Sequence, residues 1–322
     1  MLLTKPIPIL CLFAMTLPAQ QRVDKATIDA WMDELSNWGR WGKNDQMGTV
    51  NLITAAKRKS ALATVREGIS VSLSRDADTT KSVDNANPFG HEMTKTGIGE
   101  NPMFAMDTYT INYHGLALTH FDSLSHMFYR DKLYNGYSRQ EVNRTGAHQL
   151  AVTAFKNGFV SRGILMDIPR LKGVKYLELS TAILPADLDA WEKKAGIKAG
   201  TGDIVFIRTG HWARRADKGP WDTEKAAPGM HVTCARWFRQ RDIAIVGSDT
   251  HGELMPSPVD GIPFPMHQLL IVAMGTPMFD NCDLEALGDR AAALGRWEFL
   301  LTASPLAVPG GTGSPLNPIA TF

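Results

Sequence analysis

Apolar and polar positions follow two rhythms along the chain. Short runs rich in β-branched and aromatic residues predict strands at Ile69–Ser74, Thr108–His114, Gly163–Ile168, Asp203–Thr209, Ile243–Gly247 and Phe299–Thr302. Between them, helical spacing marks Lys25–Leu35, Pro185–Lys194, Met230–Gln240, His267–Met274 and Leu284–Leu294. A further helix starts at the cap residue Thr54 and runs to about Arg66, with Gly68 as its stop. Pro185 in a first turn and Gly196 just past the last one bracket another in the usual order. Strands and helices alternate from about residue 160 onward, and the first half is denser in β pattern. That mixture predicts an α/β fold of layered sheets and helices. The Gly/Pro/Asn/Asp-rich stretch from Asp76 to Asn101 reads as a long loop or lid, and no linker divides residues 20–322, which are expected to form one domain.

Composition narrows the class of partner. Of 322 residues, 44% are hydrophobic and 21% charged, which describes a globular chain able to bury a large core. Lys plus Arg number 34 against 33 for Asp plus Glu, so the net charge of +1 offers no field for nucleic acid or an anionic membrane. A small molecule is the expected partner. Three cysteines without a CxxC pair exclude a disulfide scaffold and a thiolate zinc site. Lys5 followed by the apolar run Ile7–Met15 and by Leu17-Pro18-Ala19 reads as a signal peptide over residues 1–19, cleaved after Ala19. The expected location is then periplasmic or secreted. Loss of Cys11 leaves Cys234 and Cys282 as the one pair open to an oxidising compartment.

The candidate chemistry concentrates between Tyr113 and His126. His114, His120 and His126, three of nine histidines, stand there with Asp122. In an extended chain these four residues share one face, because side chains alternate with a period of two. Imidazoles beside a carboxylate suit Zn²⁺ or Mn²⁺. A set of hydrogen-bonded core histidines is the competing reading. Three at one parity beside an Asp favour the metal.

Thr119-His120-Phe121-Asp122, with His126 four residues on, resembles the HxGTHxDxPxH signature of the putative cyclase family, which includes bacterial kynurenine formamidases and isatin hydrolases. Asn37-Trp38-Gly39-Arg40-Trp41-Gly42, Asp45 to Thr54, Gly247-Ser248-Asp249-Thr250 and Pro265-Met266-His267-Gln268-Leu269-Leu270 are similar to further landmarks of its longer members. The resemblance implies a layered β/β/α swivelling fold, a homo-oligomer, and a metal-dependent hydrolase of amide-like bonds, arylformamidase-like in kind. It implies His120 and Asp122 as metal ligands and His126 as an acid/base group at the reacting water. Downstream it implies His267 and, less directly, Asp280, which stands where short members carry Glu and is read as a ligand or a base. Leu116 occupies the position of an expected ligand, and His114, two residues earlier at the same parity, is the replacement candidate, with water as the alternative. One metal ion is preferred over two.

The remaining candidates are weighed against structural roles. Asp249 and His251 lie beyond a strand end, where α/β ligand sites gather, although a structural Asp fits equally. His231 stands near a helix start; His91, His148 and His211 lack a supporting cluster. Trp38, Trp41, Phe104 and Tyr134 are candidate walls of an aromatic pocket. No G-x-S-x-G elbow, Walker sequence or G-x-G-x-x-G occurs, so serine-nucleophile and nucleotide chemistry are not indicated. The expected activity is hydrolysis of an amide, formamide, lactam or ester by metal-activated water. Its rivals are a metal-containing binding protein without turnover and a lyase or cyclase using the same ion.

Overall fold

The computed structural model describes residues 22–99 and 102–322. The apolar stretch Ile7–Met15 and the cleavage point after Ala19 lie outside them. At the centre is a nine-stranded sheet, whose order is Ser70–Ser72, Ile319–Thr321, Glu298–Ala303, Phe159–Asp167, Ile204–Arg208, Ile245–Ser248, Met278–Asp280, His120–Asp122 and Gly313–Pro315. The four strands from Phe159–Asp167 to Met278–Asp280 pair in parallel, and the remaining neighbours are antiparallel. Parallel strands lie under helices on both faces and therefore read as unbroken apolar runs. Ile204–Arg208 and Ile245–Ser248 are buried along their whole length. Gly247 sits in register between Phe206 and Phe279, whose rings stack 5.8 Å apart and 3° from parallel. A Cβ at Gly247 would fall 2.5 Å from Phe206, so only glycine lets the two rings meet.

The α/β class expected from the alternation is the class observed. Helix Lys25–Glu34 is capped by Asp24, which accepts from Thr27 N at 2.7 Å. Pro185–Ala195 packs through the fully buried Trp191, whose Nε1 donates to Leu165 O at 2.8 Å. Some boundaries differ from expectation. The helix after Thr54 stops at Leu62, and Cys234–Gln240 starts four residues late because Gly229–Met230 pairs in parallel with Ala182–Ile183. The polar segment His211–Lys218 forms a helix that its composition does not announce. The expected 76–101 loop contains a strand, Gly90–Lys95, which forms a hairpin with Met106–Thr110 and so displaces the strand expected at Thr108–His114. Cys234 and Cys282 are buried free thiols rather than a pair; Cys234 Sγ donates to Ile183 O. Among the described residues no helix is long and apolar enough to cross a membrane.

Candidate metal centre and its cavity

Strand His120–Asp122 runs between Met278–Asp280 and Gly313–Pro315. Its antiparallel register sets Asp280 opposite His120 and Phe279 opposite Phe121. Alternation then turns His120, Asp122 and Asp280 to one side and both phenylalanines to the other. On that other side Phe121 packs against Phe155, Phe159 and Phe279. Gly313 pairs with Asp122, and a Cβ there would fall 2.3 Å from Phe121 O and 3.2 Å from His114 Cε1. The edge strand can approach only as glycine.

Four imidazoles surround the Asp122 carboxylate. His114 Nδ1 lies 2.8 Å from Oδ1 and His120 Nε2 3.7 Å from it, while His126 Nε2 and His267 Nε2 lie 3.7 and 3.9 Å from Oδ2. His267 Nε2 is also 3.3 Å from Asp280 Oδ2. Partners behind the rings set their tautomers. His120 Nδ1 faces Leu118 O at 3.3 Å and His267 Nδ1 faces Glu253 Oε1 at 3.0 Å, so in both rings Nε2 is the nitrogen turned toward the cluster. His114 Nε2 meets Thr312 Oγ1 at 3.0 Å, and its ring stacks on His126 with centroids 4.0 Å apart. Donor atoms converge in two groups that share Asp122: His120, Asp122 and Asp280, all buried, and His114, Asp122 and His126.

The protonation states follow from this crowding. Burial works against the Asp122 anion, yet His126, His114 and His120 hold its carboxyl far below the usual range. Burial pushes His126 down to about 4, so its imidazole is neutral at pH 7. Burial also opposes the charged form of His267, but its hydrogen bonds to Asp280 and Glu253 outweigh that and raise it well above an ordinary histidine.

A cavity of about 650 Å³ opens onto the cluster, with Phe264, Met127, Leu116 and Val83 among its apolar walls. The six residues His114, His120, Asp122, His126, His267 and Asp280 all line it. They do not share one strand, however. Only His120–Asp122 is extended, and His114 and His126 arrive from the bends on either side. His251 reaches the cavity as well, whereas Asp249 does not: its carboxylate accepts from Thr209 N, Thr209 Oγ1, Gly210 N and His211 N and fixes the start of helix His211–Lys218. His231 meets Thr233 Oγ1, His91 pairs with Asp107, and His148 bonds Asn143, all away from the cavity. The aromatic candidates also lie elsewhere. Trp38 Nε1 donates to Val272 O, Trp41 lies beneath Arg40, Phe104 packs under Lys95, and Tyr134 is buried with its hydroxyl on Asp45.

Sequence reasoning passes over Glu253. This buried carboxylate accepts from His267 N at 2.7 Å as well as from the ring, and so sets both position and tautomer. A lone Glu on an isolated bridge to Met230 carries no spacing signal; only the fold brings it behind His267. Glu253→Ala is expected to lower metal affinity about 10–100-fold, as losses behind a ligand do, without unfolding the protein. Metal titration followed by calorimetry checks this, and unchanged affinity would show that His267 does not reach the ion.

The family model described as Putative cyclase matches residues 18–253. The chain belongs to this family. A solved structure described as a novel cyclase is 32% identical, covers 89% of this chain and 100% of its own, and has a TM-score of 0.79. The isatin hydrolase A of Labrenzia aggregata, solved with benzyl benzoate, is 21% identical over 81% of this chain and 96% of its own, with a TM-score of 0.58. Another isatin hydrolase, solved with the product analogue thioisatinate, is 20% identical over 83% and 98%, with a TM-score of 0.56. No curated protein matches. The match to the Putative cyclase model ends before His267 and Asp280, which join the cluster through the sheet and the helix start at Pro265.

Proposed function

We propose that this Putative cyclase family member is a metal-dependent hydrolase that opens an amide, formamide, lactam or ester bond of a small cyclic or aromatic substrate. One observation carries the reading: Asp122 Oδ1 and Asp280 Oδ1 are buried and accept no well-aligned hydrogen bond, although imidazole nitrogens crowd the same space. Buried carboxylate oxygens left without donors are costly, and a cation is what this donor set fits. His120, Asp122 and Asp280 would hold it, with His114 Nδ1 and His267 Nε2 beside them. Nitrogen and carboxylate donors without thiolate suit Zn²⁺ or Mn²⁺. Such an ion supplies an acidified water, with a pKa lowered to about 7, and polarises a carbonyl.

The protein's own groups do the rest. His126, neutral at pH 7, offers a ring nitrogen beside Asp122 to take a proton from the attacking water and return it to the leaving nitrogen or oxygen. Asp280, in contact with His267 and facing His120, belongs with the holding groups and is not a free base. The apolar walls exclude bulk water from the bond under attack. A cleaved signal peptide, a periplasmic or secreted location and a homo-oligomer go with this reading, supported by the apolar N-terminal run and the family resemblance.

The test is turnover by metal-stripped protein refilled with Zn²⁺ or Mn²⁺ on N-formyl aromatics, lactams and esters. Metal-dependent products whose summed mass exceeds that of the substrate by one water support the hydrolase. Products whose masses add up to that of the substrate, with no water gained, select a lyase or cyclase, and stoichiometric binding without turnover selects a binding protein. In the active holoenzyme, His126→Gln is expected to retain its metal while kcat falls about 10²–10⁴-fold, the usual range for a lost acid/base group. Loss of metal in that variant would make His126 a ligand.

A further inference from the structure

The charge around the cavity is one-sided. Among the described residues no Lys or Arg lines it, while Asp84, Asp222 and Glu224 do, besides the two carboxylates of the metal cluster. Asp84 is spoken for: Arg215 Nε and Nη2 reach its two oxygens at 2.6 and 3.1 Å. Asp222 and Glu224 stand at the solvent edge. Asp222 has a single ion-pair partner, Lys225, which is 84% exposed, and Glu224 has no ion-pair partner among the described residues. With a divalent ion offsetting Asp122 and Asp280, the charge that remains at the mouth is negative.

A second observation concerns Asn281, which lines the same cavity and is fully buried. Its Nδ2 donates to Leu118 O at 3.0 Å, which fixes the orientation of the amide, and its Oδ1 accepts nothing. The residue is held in the left-handed region at φ 57°, with its backbone N–H on Thr250 O and its carbonyl accepting from Thr119 Oγ1 at 2.8 Å. A buried acceptor locked this way calls for a donor.

We propose that the cavity selects neutral or cationic substrates that carry an N–H, with Asn281 Oδ1 accepting from that N–H and the carboxylates of Asp222 and Glu224 turning anionic substrates away. This rests on the hydrolase reading. It also accounts for release: hydrolysis of an amide or ester leaves a carboxylate, and the acidic mouth repels that product once it leaves the ion.

The metal-loaded full protein is tested with four probes: formanilide, 4-formamidobenzoate, 4-formamido-N,N,N-trimethylanilinium and N-methylformanilide. Each is measured for turnover and, by calorimetry, for binding. At low salt the benzoate is expected about tenfold or more below formanilide in kcat/KM and in affinity, the anilinium equal to or above it, with the gap closing as salt screens the mouth. Asp222→Asn combined with Glu224→Gln should close the gap between the benzoate and formanilide. N-methylformanilide, lacking the N–H, is expected about tenfold below formanilide, since a locked buried acceptor is then left unpaired. Benzoate binding as well as formanilide, or a gap that survives the double variant, overturns the charge filter. Equal handling of the N-methyl probe overturns the role of Asn281. If none is turned over but the binding order holds, the hydrolase reading fails and the selectivity stands; turnover without the order is the reverse.

Discussion

Asp122→Asn should leave the protein folded and strip it of its metal. Asp122 belongs to both groups of converging donors, and four imidazoles face its two oxygens. The amide keeps the volume and the strand pairing with Met278 and Gly313 but removes the only charge common to both groups. Affinity should therefore fall by more than the 10–100-fold that losses behind a ligand cost, and metal-dependent turnover with it. His120→Ala should do the same from the neighbouring position. Elemental analysis of both purified variants is decisive, since full occupancy in both would remove the cluster as the metal site.

His211→Phe should make the protein more resistant to acid. His211 is buried at the start of its helix, its ring edge-on to Trp212, and neither ring nitrogen has a hydrogen-bond partner. Burial first, with His251 and the Arg215 and Arg75 guanidinium groups adding to it, pushes its pKa down to about 3. The unfolded chain binds a proton at this residue near pH 6.5, the folded one only near 3, so between those values the unfolded state holds more protons and stability falls as pH falls. The loss reaches on the order of 3 kcal/mol at pH 4. Phenylalanine keeps the contact with Trp212 and has nothing to titrate. Urea unfolding between pH 7 and 4 should show a shallower acid limb in the variant, with stability at pH 7 equal or higher because two unpaired polar atoms are gone. Parallel acid limbs would mean that His211 already has a partner that lets it titrate normally.

Much of the sheet was legible before any coordinates, because a buried parallel strand must be an apolar run. Ile204–Arg208, Ile245–Ser248 and the second half of Phe159–Asp167 fall where such runs occur. Segments whose structure depends on partners were not legible. Gly229–Met230 is a strand only because Ala182–Ile183 lies beside it, and His211–Lys218 is polar along most of its length and is set by Gly210 and the four donors that converge on Asp249. The aromatic residues misled for a related reason. Large rings in glycine-rich loops fit a pocket wall or a core equally well, and Tyr134 settles against Gly275, where a Cβ would fall 2.4 Å from the ring.

The sequence by itself determined the α/β class through its alternation, and it set out the candidate chemistry, imidazoles and a carboxylate at one parity around Asp122. Residue types and their periodicity are local properties, and these conclusions need no more than local properties. Tertiary structure alone decided how Asp280, which the family resemblance names, reaches that motif, and which residues stand behind it. Asp280 meets His120 through an antiparallel register 160 residues apart in the chain, Glu253 arrives behind His267 from a bridge to Met230, and the amide of Asn281 is oriented by Leu118 O. Such contacts depend on how strands pair and which way a side chain faces once paired. A one-residue change of register would turn Asp280 into the core and leave the sequence motif untouched.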